Sequence, residues 1–206
     1  MNLVDPEGRK IKITGKLYQE ALNGLEYISG LDLELDKGNY LFIKDNLDNT
    51  GGYYNLESEL LARIINDNTI CVNIRTLNTQ EIVQDINNYV LVGSFYGNIY
   101  DKNSNVVYAL QIVDPIILNS ISSVNSTPGA DMLHEVSEAY EGALIAKKES
   151  RSIGNSKEEP FLYKKAHERA YPQSGKVKAD LIGNNIFISV KGKHIATITF
   201  KRYNHE

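Results

Sequence analysis

A histidine, its neighbouring glutamate and two further glutamates stand close together in Thr127-Pro-Gly-Ala-Asp-Met-Leu-His-Glu-Val-Ser-Glu-Ala-Tyr-Glu-Gly142. His134 and Glu138 are four apart, so on a helix their side chains stack on consecutive turns, with Glu135 rotated to the flank of the pair. This is the layout of a His-Glu-x-x-His metal helix with glutamate in place of the second histidine. Zinc accepts carboxylate oxygen as well as imidazole nitrogen in catalytic sites, so the replacement leaves a metal site open. A third ligand has to come from elsewhere. The best candidate is His167 in Tyr163-Lys-Lys-Ala-His-Glu-Arg-Ala-Tyr-Pro172, a short second helix stopped before Pro172. The bland alternative stands beside this: such a string arises by chance, and an acidic face around one imidazole is the usual pattern of a solvated helix surface.

The elements that would position these residues follow from periodicity. Thr127 reads as an N-cap with Pro128 at the first helical position, and the helix is expected to run to about Lys148. Met132, Leu133, Val136, Tyr140, Ala143 and Leu144 fall on one side of it. Asp131, His134, Glu135, Glu138 and Glu141 fall on the other. Upstream, residues 9–13 alternate as a strand, 16–29 carry apolar residues at helical spacing up to Gly30, and 31–35 with 40–43 form a hairpin around Asp36-Lys-Gly38. Residues 45–55 read as a loop, 57–66 as a helix and 69–76 as a strand, while 77–88 are ambiguous. Residues 89–97 and 106–113 read as an antiparallel pair, either a simple two-stranded piece of core sheet or a pair one strand of which is a sheet edge beside the metal helix. Asp114-Pro115 closes that pair, and a loop of about a dozen residues is expected before the helix. Residues 149–160 read as a surface loop or a lid, and 178–182, 185–190 and 194–200 as closing strands, the last two joined through Lys191-Gly-Lys193. His194 and His205 are expected at the surface.

Composition bounds the function classes. The 206 residues are 42% hydrophobic and 23% charged with a net charge of -4, a balance that argues against a protein built to grip phosphate backbones. No apolar run approaches the roughly 20 residues of a membrane span, and the polar first ten residues do not read as a signal peptide. One cysteine, Cys71 in an apolar run, leaves no disulfide framework and no cysteine-based zinc site. No Gly-x-Ser-x-Gly elbow or glycine-rich phosphate loop is present.

The opening Asn2-Leu-Val-Asp-Pro-Glu-Gly-Arg9 resembles the Asp-Pro-x-Gly-Arg junction that ends the shell-forming core of Rhs-type bacterial proteins and precedes their variable C-terminal toxins. The block from Gly129 to Ala143, with Ala166-His-Glu-Arg-Ala-Tyr-Pro-Gln173, looks like a toxin domain found at such C-termini, of the class of zincin-like metallopeptidases. The resemblance covers the junction and about residues 93–174. It implies a junction segment at 1–8 followed by a single toxin domain at 9–206. The implied fold is α+β and zincin-like, with a mixed or antiparallel twisted sheet packed on the active-site helix and β-strands at the C-terminus. It implies a secreted effector delivered into the cytoplasm of a competing bacterium, hydrolysing peptide bonds of a target-cell protein. A cognate immunity protein would neutralise it, the Rhs core would be its parent polypeptide, and neither nucleic acid nor a membrane span is implied.

Carried over by position, His134, Glu138 and His167 would hold zinc, with Glu141 as the alternative carboxylate ligand two turns beyond His134, and Glu135 would be the general base. Tyr171 or Arg169 would stabilise the developing oxyanion. Two other classes of function use the same residues. A metal-dependent nuclease would favour harder cations and basic residues near the cleft, such as Lys164, Lys165 and Arg169. A toxin acting by protein binding alone would hold no metal and would be indifferent to Glu135→Gln.

Overall fold

The computed structural model describes residues 11–44, 55–78 and 92–199, and the junction segment, most of the 45–55 loop, the ambiguous stretch beyond Asn78 and His205 lie outside these residues. A four-stranded sheet has the order β1-β4-β6-β5, formed by β1 (Ile11–Thr14), β4 (Ile70–Thr76), β6 (Val106–Val113) and β5 (Gly93–Asp101). β1 and β6 both run parallel to β4, and β5 returns antiparallel along β6, so the sheet is mixed. Two smaller sheets flank it: the hairpin β2 (Leu33–Leu35) with β3 (Leu41–Ile43), and the antiparallel β7 (Lys178–Ile182), β8 (Asn185–Val190) and β9 (Lys193–Thr199). The helices among the described residues are α1 (Tyr18–Ser29), α2 (Leu56–Asn66), α3 (Pro115–Val124), α4 (Ala130–Glu149) and α5 (Pro160–Arg169).

β4 and β6 bury Ile70, Val72, Ile74, Val107, Ala109 and Val113 on one face of the sheet, while the other face is only partly covered, with Asn73 half-buried and Arg75 exposed. α4 lies against β6, β5 and β4 and is enclosed on its other sides by α1, α2, α3 and α5. This excludes the bland alternative of a solvated acidic face. From Ala130 to Tyr140 every residue of the helix is buried, the acidic side included. The second face looks toward Gln111 of β6 and toward α5 instead of solvent.

Two helix starts differ from the expectation. α4 is capped by Gly129 in the left-handed region at φ 84°, without a side-chain cap from Thr127. A Cβ at Gly129 would run into the carbonyl of Gly24 in α1, so this close helix approach requires glycine. The orphan amide of Asp131 is met from another element, by Ser122 Oγ of α3 at 3.0 Å. The dozen residues read as a loop are α3: Asp114 caps it, its Oδ1 accepting from the amides of Ile116 and Ile117 at 3.1 and 3.2 Å, and Pro115 takes the first helical position.

β5 is the edge strand and β6 is interior. β5 runs to Asp101, past the expected stop at Gly97, because a bulge between Phe95 and Asn98 absorbs the irregularity. The connection read as a loop or lid is strapped to that edge. The Asn98 amide donates to the Ile153 carbonyl at 2.9 Å, and the Arg151 guanidinium forks onto both oxygens of Glu159 at 2.8 Å. The C-terminal sheet closes its own small core of Ile186, Ile188, Val190, Ala196 and Ile198 against Ile117 and Ile121 of α3. None of the helices among the described residues is long and apolar enough to cross a membrane.

Candidate metal centre

Two helices bring the expected ligands together. α4 supplies His134 and Glu138 on consecutive turns. α5 starts on Pro160, packs the fully buried Ala166 inward, and so turns His167 and, one turn earlier, Tyr163 toward the same place. His134 Nε2 lies 3.2 Å from His167 Nδ1 and 3.5 Å from Glu138 Oε2, and His167 Nδ1 lies 2.5 Å from that oxygen. For ligand bonds of about 2.0–2.2 Å, the edges of a tetrahedral zinc site are about 3.3–3.6 Å long. Two of the three separations match such an edge, and the third is a hydrogen bond that a metal would replace. The cluster of His134, Glu138 and His167 could therefore hold a metal ion. Glu141, the alternative carboxylate, is half-buried on the flank of α4 and stands outside this cluster.

The ligand ring is oriented from behind. The His134 Nδ1–H donates to the Tyr171 carbonyl at 2.5 Å, which leaves the Nε2 lone pair facing the cluster. Tyr171 can offer that carbonyl because the following Pro172 keeps it off helical geometry. Its amide is held in turn by Ser137 Oγ at 2.8 Å, and the Ser137 hydroxyl donates to the His134 carbonyl. The Tyr171 phenol, expected as an oxyanion donor, instead donates to Glu57 of α2 at 2.7 Å. Arg169 is exposed at the end of α5, with its charge toward Glu141, and Lys164 pairs with Glu168 at 3.7 Å. None of these three basic or phenolic groups lines the cleft.

Glu135 is 7% exposed and sits at the start of β5. A Cβ at Gly93 would land on its carboxylate, so glycine is what admits the acid there. Gln111 of β6, wholly buried, donates its amide to Glu135 and, at 3.3 Å, to Glu138 Oε1. Burial, and then the neighbouring Glu138 charge, push the Glu135 carboxyl well above the usual carboxylate range, against the pull of Gln111. Burial also raises Glu138, but its contacts with the His134 and His167 imidazoles outweigh that and hold it below. The same contact with Glu138 raises His167. Two acids buried side by side, held by two imidazoles and the Gln111 amide, form a site whose electrostatics a divalent cation would complete.

A cleft of about 430 Å³ opens on Glu135, Glu138 and His167, and Tyr163 forms part of its wall. Burial and the charges of Glu138 and Glu135 raise the Tyr163 phenol above its ordinary value, and it hydrogen-bonds to Glu138. Tyr163 and Gln111 escaped the sequence reading. A polar residue interrupting the apolar strand Ala109-Leu-Gln-Ile-Val113 was the available signal for Gln111, and the i,i+4 spacing to His167 was the signal for Tyr163. His194 is exposed on β9, far along the chain from the cluster, with Thr197 as its neighbour. No family model matches the chain, and neither a curated protein nor a solved structure matches it.

Proposed function

We propose that the chain is a zinc-dependent peptidase that acts as an antibacterial effector. The observation that carries the hydrolase reading is the convergence of His134 Nε2, Glu138 Oε2 and His167 Nδ1 at metal-ligand spacing, with Glu135 buried beside them. Three protein ligands and an open cleft are the donor set of a catalytic zinc site, in contrast to the four closed ligands of a structural one. When bound, zinc would polarise the scissile carbonyl and bring its water toward a pKa of about 7.

The chain's own residues supply the remainder. Glu135, whose burial makes its carboxylate a stronger base, takes a proton from the attacking water and hands it to the leaving amine. Gln111 and Gly93 hold that carboxylate in place. Tyr163 lines the cleft with its phenol on Glu138 and would turn from that carboxylate to donate to the oxygen on which charge develops, a role for which the Tyr171 phenol, held by Glu57 and outside the cleft lining, is not placed. Tyr171 serves through its main chain, orienting His134.

The effector role rests on the resemblance of residues 2–9 and 129–173 to the junction and C-terminal toxin domains of Rhs-type proteins. On that reading the partners are a target-cell protein as substrate and a cognate immunity protein, and the site of action is the cytoplasm of the target bacterium. Metal analysis of the purified chain, followed by expression of wild type and Glu135→Gln in susceptible cells with a proteome-wide search for new termini, tests both halves. Zinc in both proteins, with new termini and killing by the wild type alone, is the expected result. A metal-free wild type, or killing that persists in the variant, ends the peptidase reading.

A further inference from the structure

β7 is an edge of the C-terminal sheet, paired with β8 on one side and with no strand on the other among the described residues. Its register sets Ala179 opposite Ile188 and Leu181 opposite Ile186, and β8 in turn sets Ile188 opposite Ala196 and Ile186 opposite Ile198. Directly opposed residues share a face, so one apolar row runs across all three strands. On β8 and β9 that row is the small core against α3, with Ile186, Ile188, Ala196 and Ile198 all buried. On β7 the same row comes out into solvent: Ala179 is exposed, and Leu181 keeps 56% of its surface. The core face of this sheet therefore continues past what α3 covers.

The other face of β7 carries Lys178 and Asp180, paired at 2.7 Å along the strand. Lysine on an open edge turns most strands away. Here an acid two residues on matches its charge, and that spacing makes the strand complementary to itself. In an antiparallel pair with a two-fold axis through Ala179, Lys178 of each copy stands opposite Asp180 of the other, and Leu181 stands opposite Val177, which is itself 40% exposed. The four charges then alternate in sign around the axis. A two-fold axis through Lys178 or Asp180 would set like charges opposite each other, and a slip of one residue would turn the apolar row toward the charges.

We propose that β7 pairs with β7 of a second copy of this chain in that register, joining the two C-terminal sheets into one continuous sheet. Read in the opposite direction, Lys178-Ala-Asp180 is its own complement, which a strand of unrelated sequence is not. The pairing covers Leu181 and Val177 with each other and gives partners to the main-chain groups along the open edge.

Sedimentation equilibrium of the purified full chain, from micromolar to millimolar concentration, tests this. Wild type is expected to dimerise. Asp180→Lys and Lys178→Asp each set like charges opposite each other in both cross-strand pairs and should raise the dimer dissociation constant about tenfold or more. Circular dichroism of both variants should match wild type, because both side chains stand in solvent. An equimolar mixture of the two variants restores both opposite-charge pairs and should recover the dimer as a heterodimer. A wild type that stays monomeric, a dimer that neither variant weakens, or a mixture that stays monomeric overturns the inference.

Discussion

Asp131 and Glu138 are both buried acids on α4, seven residues and two turns apart, and their surroundings differ in kind. Asp131 accepts from two serine hydroxyls and one backbone amide, all neutral donors whose charge never changes. Those bonds tie α3, α4 and the segment after α5 into one corner. Among the described residues Glu138 is met by two imidazoles, by the Tyr163 phenol and by the Gln111 amide, and Glu135 beside it by that amide. Burial therefore does not distinguish a structural acid from a chemical one. The partners do: fixed neutral donors fully satisfy the first, while titratable partners leave the second able to exchange protons or take a cation.

The comparison breaks most sharply at Glu135. Glu135→Gln keeps the shape and the three ligands, so zinc content should match wild type while kcat for peptide hydrolysis falls by about 10²–10⁴, the usual worth of a general base. Equal loss of zinc would place Glu135 among the ligands instead. Next in size is His167→Ala. It removes a ligand from the second helix, and zinc affinity measured by chelator competition should fall by more than the roughly 10–100-fold typical of supporting residues. Glu141→Gln, outside the cluster, should leave that affinity within about twofold of wild type, which separates it from the ligand role it was offered.

Much of this contrast was legible in the sequence, and the part that was not has a physical reason. His134 and Glu138 were readable as a pair because i,i+4 spacing on a helix fixes a local geometry, and α1, α2 and α5 were readable because each buries one stripe. α4 defeats that logic. A helix enclosed on every side has no wet face, so its acids looked like surface until the elements around it were in place. The parallel order β1-β4-β6 was hidden because strands paired across long crossovers leave no turn signal between them. α3 was hidden by an inconsistency: Asp114-Pro115 starts a helix by the same chemistry that was credited to Thr127-Pro128, where Gly129 intervenes and cancels it. The roles of Gln111 and Gly93 depend on a carboxylate from another element, which no local pattern encodes.

On the structural side of the comparison, Asp131→Asn should lower stability by about 1–3 kcal/mol, because an amide of the same shape turns one acceptor into a donor facing two serines. Urea unfolding measures it. Zinc content and kcat should stay close to wild type, and loss of zinc by this variant would erase the distinction between the two acids.

The smallest expected effect is in pH. In the metal-free chain His167 is raised, so its pairing contributes fully below 6.5 and is lost as pH climbs through its folded value. Glu138 is lowered, so its contribution is present above 4.5 and is lost as pH falls through its folded value. Both are present together between those limits. Glu135, raised by burial, works against stability as pH rises from 4.5 toward its own folded value. The metal-free chain should therefore be most stable in the acidic part of that window and weaken as pH is raised past 6.5. Zinc affinity should run the other way, rising by up to about tenfold per pH unit until His167 has lost its proton, because the ion and that proton compete for Nδ1. Thermal unfolding of the metal-free and zinc-loaded chain across the same buffers would show the two curves diverging.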